Sequence, residues 1–211
     1  MKITKYGHCC LLIEEGGLRV LTDPGSFSTL QSDARDVDVV LITHEHPDHF
    51  HVDSVKEVLA NNPGAKVITN APVAKLLAYI GVTTTIVGHG MSHVDRGVTF
   101  SGFGTEHKLI YPSWNKVENT GYFIGDRLFY PGDAFYDPKR PVDVLALPVA
   151  GPWCTIAEAV DYALALKPRH AFPVHDGGLK APGVAHRLPD KILNESGIHF
   201  VALVEGQTAE F

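Results

Sequence analysis

The chain has 211 residues and a hydrophobic fraction of 45%, enough for one domain with a sizeable apolar core. Its formal net charge is −6 and no run of like charges stands out, which argues against partners that need a basic patch, such as nucleic acids and anionic membrane surfaces. There is no stretch of about 18 apolar residues and no apolar signal segment after Met1, so we expect a soluble, cytoplasmic protein.

The first third of the chain is typical of antiparallel β structure followed by a buried strand. The sequence predicts three short strands, at residues 2–6, 10–14 and 18–22. Residues 37–43 form a nearly continuous apolar run, as expected of a central strand that is covered on both faces. Helical spacing of apolar residues begins at Val52 and stops at Asn61-Asn62-Pro63-Gly64, which predicts a helix there.

The rest of the chain alternates between strand and helix patterns. Strands are predicted at residues 66–69, 83–87, 97–103, 122–124, 128–130, 142–147 and 171–174, and helices at residues 73–79 and 156–166. Strands cluster at both ends of the chain, and no linker or low-complexity segment interrupts it. We therefore expect one domain over residues 1–211, in which two mixed sheets face each other with helices outside.

The three cysteines do not indicate a disulfide framework. Cys9 and Cys10 are neighbours whose side chains would point to opposite faces of a strand, and three cysteines cannot all pair. We expect these two and Cys154 to be buried, reduced thiols that pack as small apolar side chains.

The segment His44-Glu45-His46-Pro47-Asp48-His49 follows the predicted central strand directly and precedes a helix. Neutral imidazole and carboxylate are the usual ligands of catalytic zinc. In an extended stretch His44 and His46 point the same way and can bind one ion, whereas Asp48 and His49 lie past Pro47 and can face a second. The alternative, a histidine-rich surface loop, needs no metal, but this order of residue types is more specific than most short patterns.

Two ions need more ligands than this segment supplies, and further candidates follow other predicted strands. They are His107, Asp133 and His175, each placed after an apolar run and a turn. Each of them alone would more often be a hydrogen-bonded structural residue. Together with the histidine segment they indicate a metal site.

The order and context of these segments resemble the metallo-β-lactamase superfamily, whose five motifs correspond here to Asp23, residues 44–49, His107, Asp133 and His175. The resemblance implies an α/β fold, a four-layer αββα sandwich with two metal ions at one edge between the sheets. It implies that the first ion binds His44, His46 and His107, and that the second binds Asp48, His49 and His175. Asp133 would bridge the two ions. Asp23 would orient the histidine loop, unless it is a plain turn residue before Pro24.

Two further pieces resemble a short, single-domain branch of this superfamily that includes ascorbate-6-phosphate lactonase and many unassigned hydrolases. They are residues 7–14 and 119–124. His8, in the first piece, is a candidate substrate contact, although a hydrogen-bonded histidine at a strand end is equally expected. His186 is a second candidate substrate contact. The rim of the site could include Tyr111, Pro112, Ser113, Trp114 and Trp153, for which ordinary packing is at least as probable.

The ligand set predicts a metal-dependent hydrolase. Two divalent ions, most readily Zn²⁺ but also Mn²⁺, Fe²⁺ or Ni²⁺, would share a bridging hydroxide that cleaves an ester-like bond, such as a lactone, phosphodiester, thioester or amide. Asp133 would fix the separation of the ions, and Asp48 would orient the water or carry its proton. The expected partner is a small-molecule substrate, an anionic metabolite included, and neither nucleic acid nor a membrane. The sequence does not indicate an oligomeric state.

Two other classes of function use the same residues. The first is an iron-dependent oxidoreductase resembling a sulfur dioxygenase, and the second is a non-catalytic module that senses a metabolite through the metal edge. Flavodiiron proteins carry a glutamate where this chain has His46 and need a flavin domain for which there is no room. Nucleic-acid-processing relatives usually bring an extra arm or domain, and a β-lactam substrate has no support from an export signal.

Overall fold

The computed structural model describes residues 1–114 and 116–211, and strands from both halves of the chain form its two sheets. The first sheet has the spatial order β14-β1-β2-β3-β4-β5-β6. Its strands are β1 (Lys2–Gly7), β2 (Cys10–Glu15), β3 (Leu18–Thr22), β4 (Val39–Ile42), β5 (Lys66–Thr69), β6 (Thr84–Ile86) and β14 (Thr208–Glu210).

The second sheet has the spatial order β13-β12-β11-β10-β9-β8-β7. Its strands are β7 (Ser92–Asp95), β8 (Val98–Phe103), β9 (Gly121–Ile124), β10 (Leu128–Tyr130), β11 (Val144–Pro148), β12 (His170–Val174) and β13 (His199–Phe200). The helices are α1 (Val52–Asn61), α2 (Ala71–Tyr79), α3 (Ile156–Leu166) and α4 (Gly183–Glu195), with a short 3-10 helix at Leu30–Asp33. None of the helices that the described residues form has the length and apolar character needed to cross a membrane.

Three apolar clusters separate four layers. Within β4, Val39 and Leu41 point into the cluster between the two sheets, whereas Val40 and Ile42 point into the cluster beneath α1 and α2. This alternation is the two-residue period of a strand whose two faces are both covered. A third cluster lies between the second sheet and α3 and α4. The order of layers is therefore helices, sheet, sheet, helices, which confirms the predicted αββα sandwich.

The predicted strands and helices are confirmed in position, and the elements that the sequence did not predict lie mostly near the end of the chain. These are β7, α4, β13 and β14, together with the 3-10 helix at Leu30–Asp33. Helix α4 follows Pro182, has no side-chain cap and contains Pro189, and these are features that argue against a helix in a sequence. It forms because buried side chains such as Leu193 join the cluster that α4 shares with α3.

The strand directions bring the ends of several strands to one edge of the sandwich. Strands β3 to β6 are parallel to one another, and β10, β11 and β12 are parallel to one another. Strand β8 is antiparallel to β9, which is antiparallel to β10, so β8 and β10 run in the same direction. The segments that follow β4, β8, β10 and β12 carry the predicted metal ligands.

Candidate metal centre

The loop after β4 is a tight turn that the segment after β3 covers closely. The backbone N–H of His49 donates to the carbonyl oxygen of His46 at 2.9 Å. An ideal Cβ on Gly25 would lie 1.8 Å from the carbonyl oxygen of Asp48, so only glycine fits at this position. This close approach fixes the backbone from which the ligand side chains project.

Asp23 lies beneath this loop and is completely buried. Its Oδ1 accepts the backbone N–H of Thr43 at 2.8 Å, and its Oδ2 accepts the Thr43 hydroxyl at 2.7 Å and the Tyr130 hydroxyl at 2.6 Å. Oδ2 also lies 2.7 Å from Nδ1 of His49, so that nitrogen carries a proton and Nε2 is the ring nitrogen available to a metal. This placement fits the predicted role of Asp23 in orienting the histidine loop.

A first group of donor atoms comes from His44, His46, His107 and Asp133, and these atoms all lie within 4.8 Å of one another. Nε2 of His44 is 3.2 Å from Nδ1 of His46, and Nε2 of His107 is 3.2 Å from Oδ2 of Asp133. Nδ1 of His107 donates to the carbonyl oxygen of Lys108, which leaves Nε2 as the nitrogen with a lone pair. The four side chains can therefore hold one metal ion.

A second group of donor atoms comes from His8, Asp48, His49 and His175, again within 4.8 Å of one another. Asp133 touches this group too, because its Oδ1 is 3.1 Å from Nε2 of His49 and its Oδ2 is 2.9 Å from Nε2 of His175. The structure thus brings together all seven residues that the sequence predicts as ligands, and it places Asp133 between the two groups.

Three buried atoms of this centre lie close to one another but make no hydrogen bond of suitable geometry with the described residues: Nε2 of His49, Nε2 of His175 and Oδ1 of Asp133. A buried polar atom without a partner costs about 1–3 kcal/mol, so such atoms are rare in folded proteins. Imidazole nitrogen and carboxylate oxygen are also the atoms that bind divalent metal ions. The donor set therefore fits two metal ions, one for each group.

Burial and neighbouring charges set the protonation of these side chains in the metal-free protein. Burial holds the pKa of His44 well below its usual value, so His44 is neutral and ready to bind a metal. Burial would also lower the pKa of His49, but the carboxylates of Asp133 and Asp23 raise it well above its usual value. Burial opposes ionisation of Asp48, yet a hydrogen bond from His8 and the charge of His49 bring its pKa to about 2.

Two cavities flank the centre. The cavity beside His46 and His107 has a volume of about 390 Å³, and its wall includes Tyr111 and Trp114. The cavity on the other side has a volume of about 460 Å³. Its wall combines His8, Asp48 and His175 with apolar residues such as Phe27, Pro47 and Leu179. Both volumes suit a small-molecule ligand.

The two candidate substrate contacts, His8 and His186, differ in whether they line a cavity. His8 lines the second cavity, and its Nε2 is 3.2 Å from Oδ2 of Asp48. His186 is buried on α4, where its Nε2 is 2.6 Å from Oδ2 of Asp176. Asp176 also pairs with the buried Lys5 at 2.7 Å. His186 is thus hydrogen-bonded to a buried carboxylate and does not line either of the two cavities, so a substrate contact at His186 has no structural support.

Two residues outside the predicted ligand set form hydrogen bonds with Asp133. Trp153, predicted as a rim residue, is buried, and its Nε1–H donates to Oδ2 of Asp133 at 2.8 Å. The side chain of Asn119 accepts the backbone N–H of Asp133 at 3.0 Å and thereby holds its loop. Neither residue belongs to a spacing pattern, so only their contacts reveal them. Cys9 and Cys10 are buried free thiols, as predicted, whereas Cys154 is free but only half-buried, so its predicted burial was wrong.

Comparisons with known proteins agree with this geometry. A family model described as the β-lactamase superfamily domain matches residues 2–175. The protein Rv0786c of Mycobacterium tuberculosis is 37% identical over 216 residues, which cover 100% of this chain and 95% of that protein. A UPF0173 metal-dependent hydrolase of Carboxydothermus hydrogenoformans is 31% identical over 201 residues, covering 83% of this chain and 84% of that protein.

A solved structure shares the fold. Igni18, a metallo hydrolase from the archaeon Ignicoccus hospitalis, superposes with a TM-score of 0.77 and 22% sequence identity, covering 100% of this chain and 98% of Igni18. At that level of identity the likeness shows the fold alone.

Proposed function

This chain belongs to the β-lactamase superfamily domain family and is a metal-dependent hydrolase, and from that premise we propose that it is a dinuclear zinc enzyme that cleaves an ester-like bond in a small molecule. The observation that carries the proposal is a single one. Asp133 contacts both groups of donor atoms, and buried atoms of this carboxylate and of the second group make no hydrogen bond with the residues that the structure describes.

The residues divide into those that hold the ions and those that orient water. His44, His46 and His107 would hold one ion, and Asp48, His49 and His175 the other, with Asp133 in contact with both groups. When bound, such ions lower the pKa of water and polarise the bond under attack.

Asp48 is the side chain placed to orient an attacking water. Its pKa of about 2 keeps it ionised, and its carboxylate lies both in the second group and in the cavity wall. As an ionised acceptor it would orient an attacking water, whereas carrying the proton of that water to the leaving group would need a higher pKa than the metal-free protein gives it. His8 holds Oδ2 from the other side.

The residues that line the two cavities indicate which substrates would fit. Lys108 and Lys116 are the basic side chains among the described residues that line the two cavities. Lys108 is paired with Glu158 at 2.7 Å and Lys116 with Glu106 at 3.4 Å. An anionic substrate would therefore depend on the metal ions for charge, and the apolar second cavity favours an uncharged substituent on that side.

Elemental analysis combined with a substrate screen tests the proposal. We expect the purified protein to contain about two zinc ions per chain and to hydrolyse at least one substrate in a panel of lactones, phosphodiesters, thioesters and amides. His46→Ala and Asp133→Ala should lose metal and activity together, while the exposed His199→Ala should keep both. If both site variants match the parent protein in metal content, the ligand assignment is wrong.

The same experiment distinguishes the iron-dependent oxidoreductase. Iron in place of zinc, together with oxygen consumption on a thiol or persulfide substrate, would favour that alternative, because imidazole and carboxylate ligands accept either metal. The cytoplasmic location stays a prediction from the sequence.

A further inference from the structure

His8 is the one member of the two donor groups that the sequence did not predict as a ligand, and three of its polar atoms are engaged. Its carbonyl oxygen accepts the backbone N–H of His175 at 3.2 Å. Its Nδ1 accepts the backbone N–H of Gly177 at 3.1 Å. Its Nε2 lies 3.2 Å from Oδ2 of Asp48. His8 therefore joins the two loops that carry the ligands of the second ion.

The bond from Gly177 determines where the ring proton of His8 resides. A backbone N–H is always a donor, so Nδ1 must present a lone pair to it. In a neutral imidazole the proton then sits on Nε2, the nitrogen that faces Asp48. A nitrogen that carries a proton has no lone pair for a metal. The position of Nε2 among the metal-binding atoms of the second group suggests that His8 is a metal ligand. Its hydrogen bonds indicate instead that Nε2 donates a proton to Asp48.

We infer that His8 is a positioning residue: its Nε2–H donates to Oδ2 of Asp48 and so fixes the orientation of that carboxylate, whose Oδ2 also lies 3.5 Å from Nε2 of His175. The inference rests on the proposed hydrolysis only where it concerns catalytic turnover, and not where it concerns the binding of the second metal ion. Asp48, His49, His175 and Asp133 would then hold the second ion without His8, and the second cavity, which His8, Asp48 and His175 line, would give water or substrate access to an open position. A catalytic zinc needs such an open position.

The backbone around His8 is built for this contact. His8 has a φ of 48°, in the left-handed region that few residues other than glycine and asparagine adopt. A Cβ added to Gly177 would lie 2.7 Å from Cβ of His8 and 3.0 Å from the carbonyl oxygen of Phe27. The N–H of residue 177 can approach the ring only because this residue is glycine. The left-handed φ of His8 is the one that the two-residue hairpin turn between β1 and β2 requires, and it directs the ring toward Gly177 and Asp48.

Nitrogen NMR of the histidine rings tests the tautomer without any substrate. Protein labelled with ¹⁵N in histidine, prepared metal-free and with two equivalents of zinc, would be measured by two-bond ¹H–¹⁵N correlation, with the resonances of His8 assigned from His8→Gln. We expect the pattern of a ring protonated at Nε2 in both states. A zinc-loaded protein in which Nδ1 of His8 carries the proton and Nε2 shows the shift of a coordinated nitrogen would overturn the inference.

Three substitutions separate a donor from a ligand. Glutamine places its amide near the position of Nε2 and can still donate to Asp48, whereas asparagine reaches only the position of Nδ1 and alanine neither. We expect His8→Asn and His8→Ala to weaken binding of the second zinc by roughly 10–100-fold, the usual effect of losing a hydrogen bond to a metal ligand. His8→Gln should recover most of that affinity. The exposed His199→Gln is the matched control and should bind zinc like the parent.

A zinc titration against a chelator gives the second affinity directly. If His8 is a ligand, His8→Gln will lose the second zinc as fully as His8→Ala, and the inference fails. Gly177→Ala should reproduce the loss seen in His8→Ala, because the added Cβ displaces the ring without changing it. If the chain binds zinc but hydrolyses nothing in the panel, the proposed function fails while these measurements still decide the role of His8.

Discussion

Replacement of Asp23 by asparagine removes one charge from the hydrogen-bond hub beneath the metal centre. Asp23 accepts four hydrogen bonds: the Thr43 N–H at Oδ1, and the Thr43 hydroxyl, His49 Nδ1 and the Tyr130 hydroxyl at Oδ2. An asparagine has one acceptor oxygen and one amide that only donates. Whichever way the amide is turned, at least one buried donor in this hub loses its acceptor.

The magnitude follows from the better of the two orientations. With the amide nitrogen at the Oδ1 position, the Thr43 N–H is unsatisfied, at a cost of about 1–3 kcal/mol. The other three bonds lose a charged acceptor, and each weakens by about 1 kcal/mol. We therefore expect Asp23→Asn to lower the free energy of unfolding of the metal-free protein by about 4–6 kcal/mol, a large part of the usual stability of a domain. Zinc affinity should fall roughly 10–100-fold, because the ring of His49 is no longer held.

Urea unfolding of metal-free protein and zinc titration against a chelator measure the two effects. Tyr130→Phe removes one of the four donors and should cost less than Asp23→Asn, about 1–2 kcal/mol. Asp137→Asn makes the same chemical change on an exposed carboxylate and should leave both quantities unchanged. A loss of less than about 1 kcal/mol in Asp23→Asn, together with parental zinc affinity, would refute the reasoning, since it is smaller than the effect of one unsatisfied buried donor.

Three further predictions concern the walls of the centre. Trp153→Phe should lower zinc affinity roughly tenfold through the lost hydrogen bond to the shared carboxylate, whereas Trp114→Phe on the exposed rim should not; equal affinities would contradict this. The pKa of His49 is raised well above its usual value, so zinc binding should release about one proton and become stronger as the pH rises. If the calorimetric heat of zinc binding does not depend on the buffer, no proton is released and this prediction is wrong. Gly25→Ala would place a Cβ 1.8 Å from a backbone oxygen and should lower the free energy of unfolding by about 3 kcal/mol or more. Gly64→Ala, whose Cβ would meet no atom within 4 Å, should leave the stability unchanged or raise it slightly. Thermal unfolding of the two variants compares these effects.

The sequence predicted the parts of this protein that depend on local pattern. The apolar run before residue 44 identifies β4, because a strand covered on both faces needs apolar side chains on both. The ligand types of the histidine segment identify metal chemistry, because few other uses explain three imidazoles and a carboxylate in one turn. The elements that escaped prediction, β13 and α4 among them, are short or carry prolines, and they form through contacts made elsewhere in the chain.

Only the tertiary structure decided how the ligand residues meet and which atoms they present. Several contacts of the centre join separate segments of the chain. Asp133 lies between the two groups and accepts a hydrogen bond from Trp153. His8 faces Asp48, whereas His186 faces Asp176. A residue type states which atoms could bind or donate. Which of them does so is determined by the partner on the other ring nitrogen or the other carboxylate oxygen, and for His8 and His49 that partner comes from a distant part of the chain.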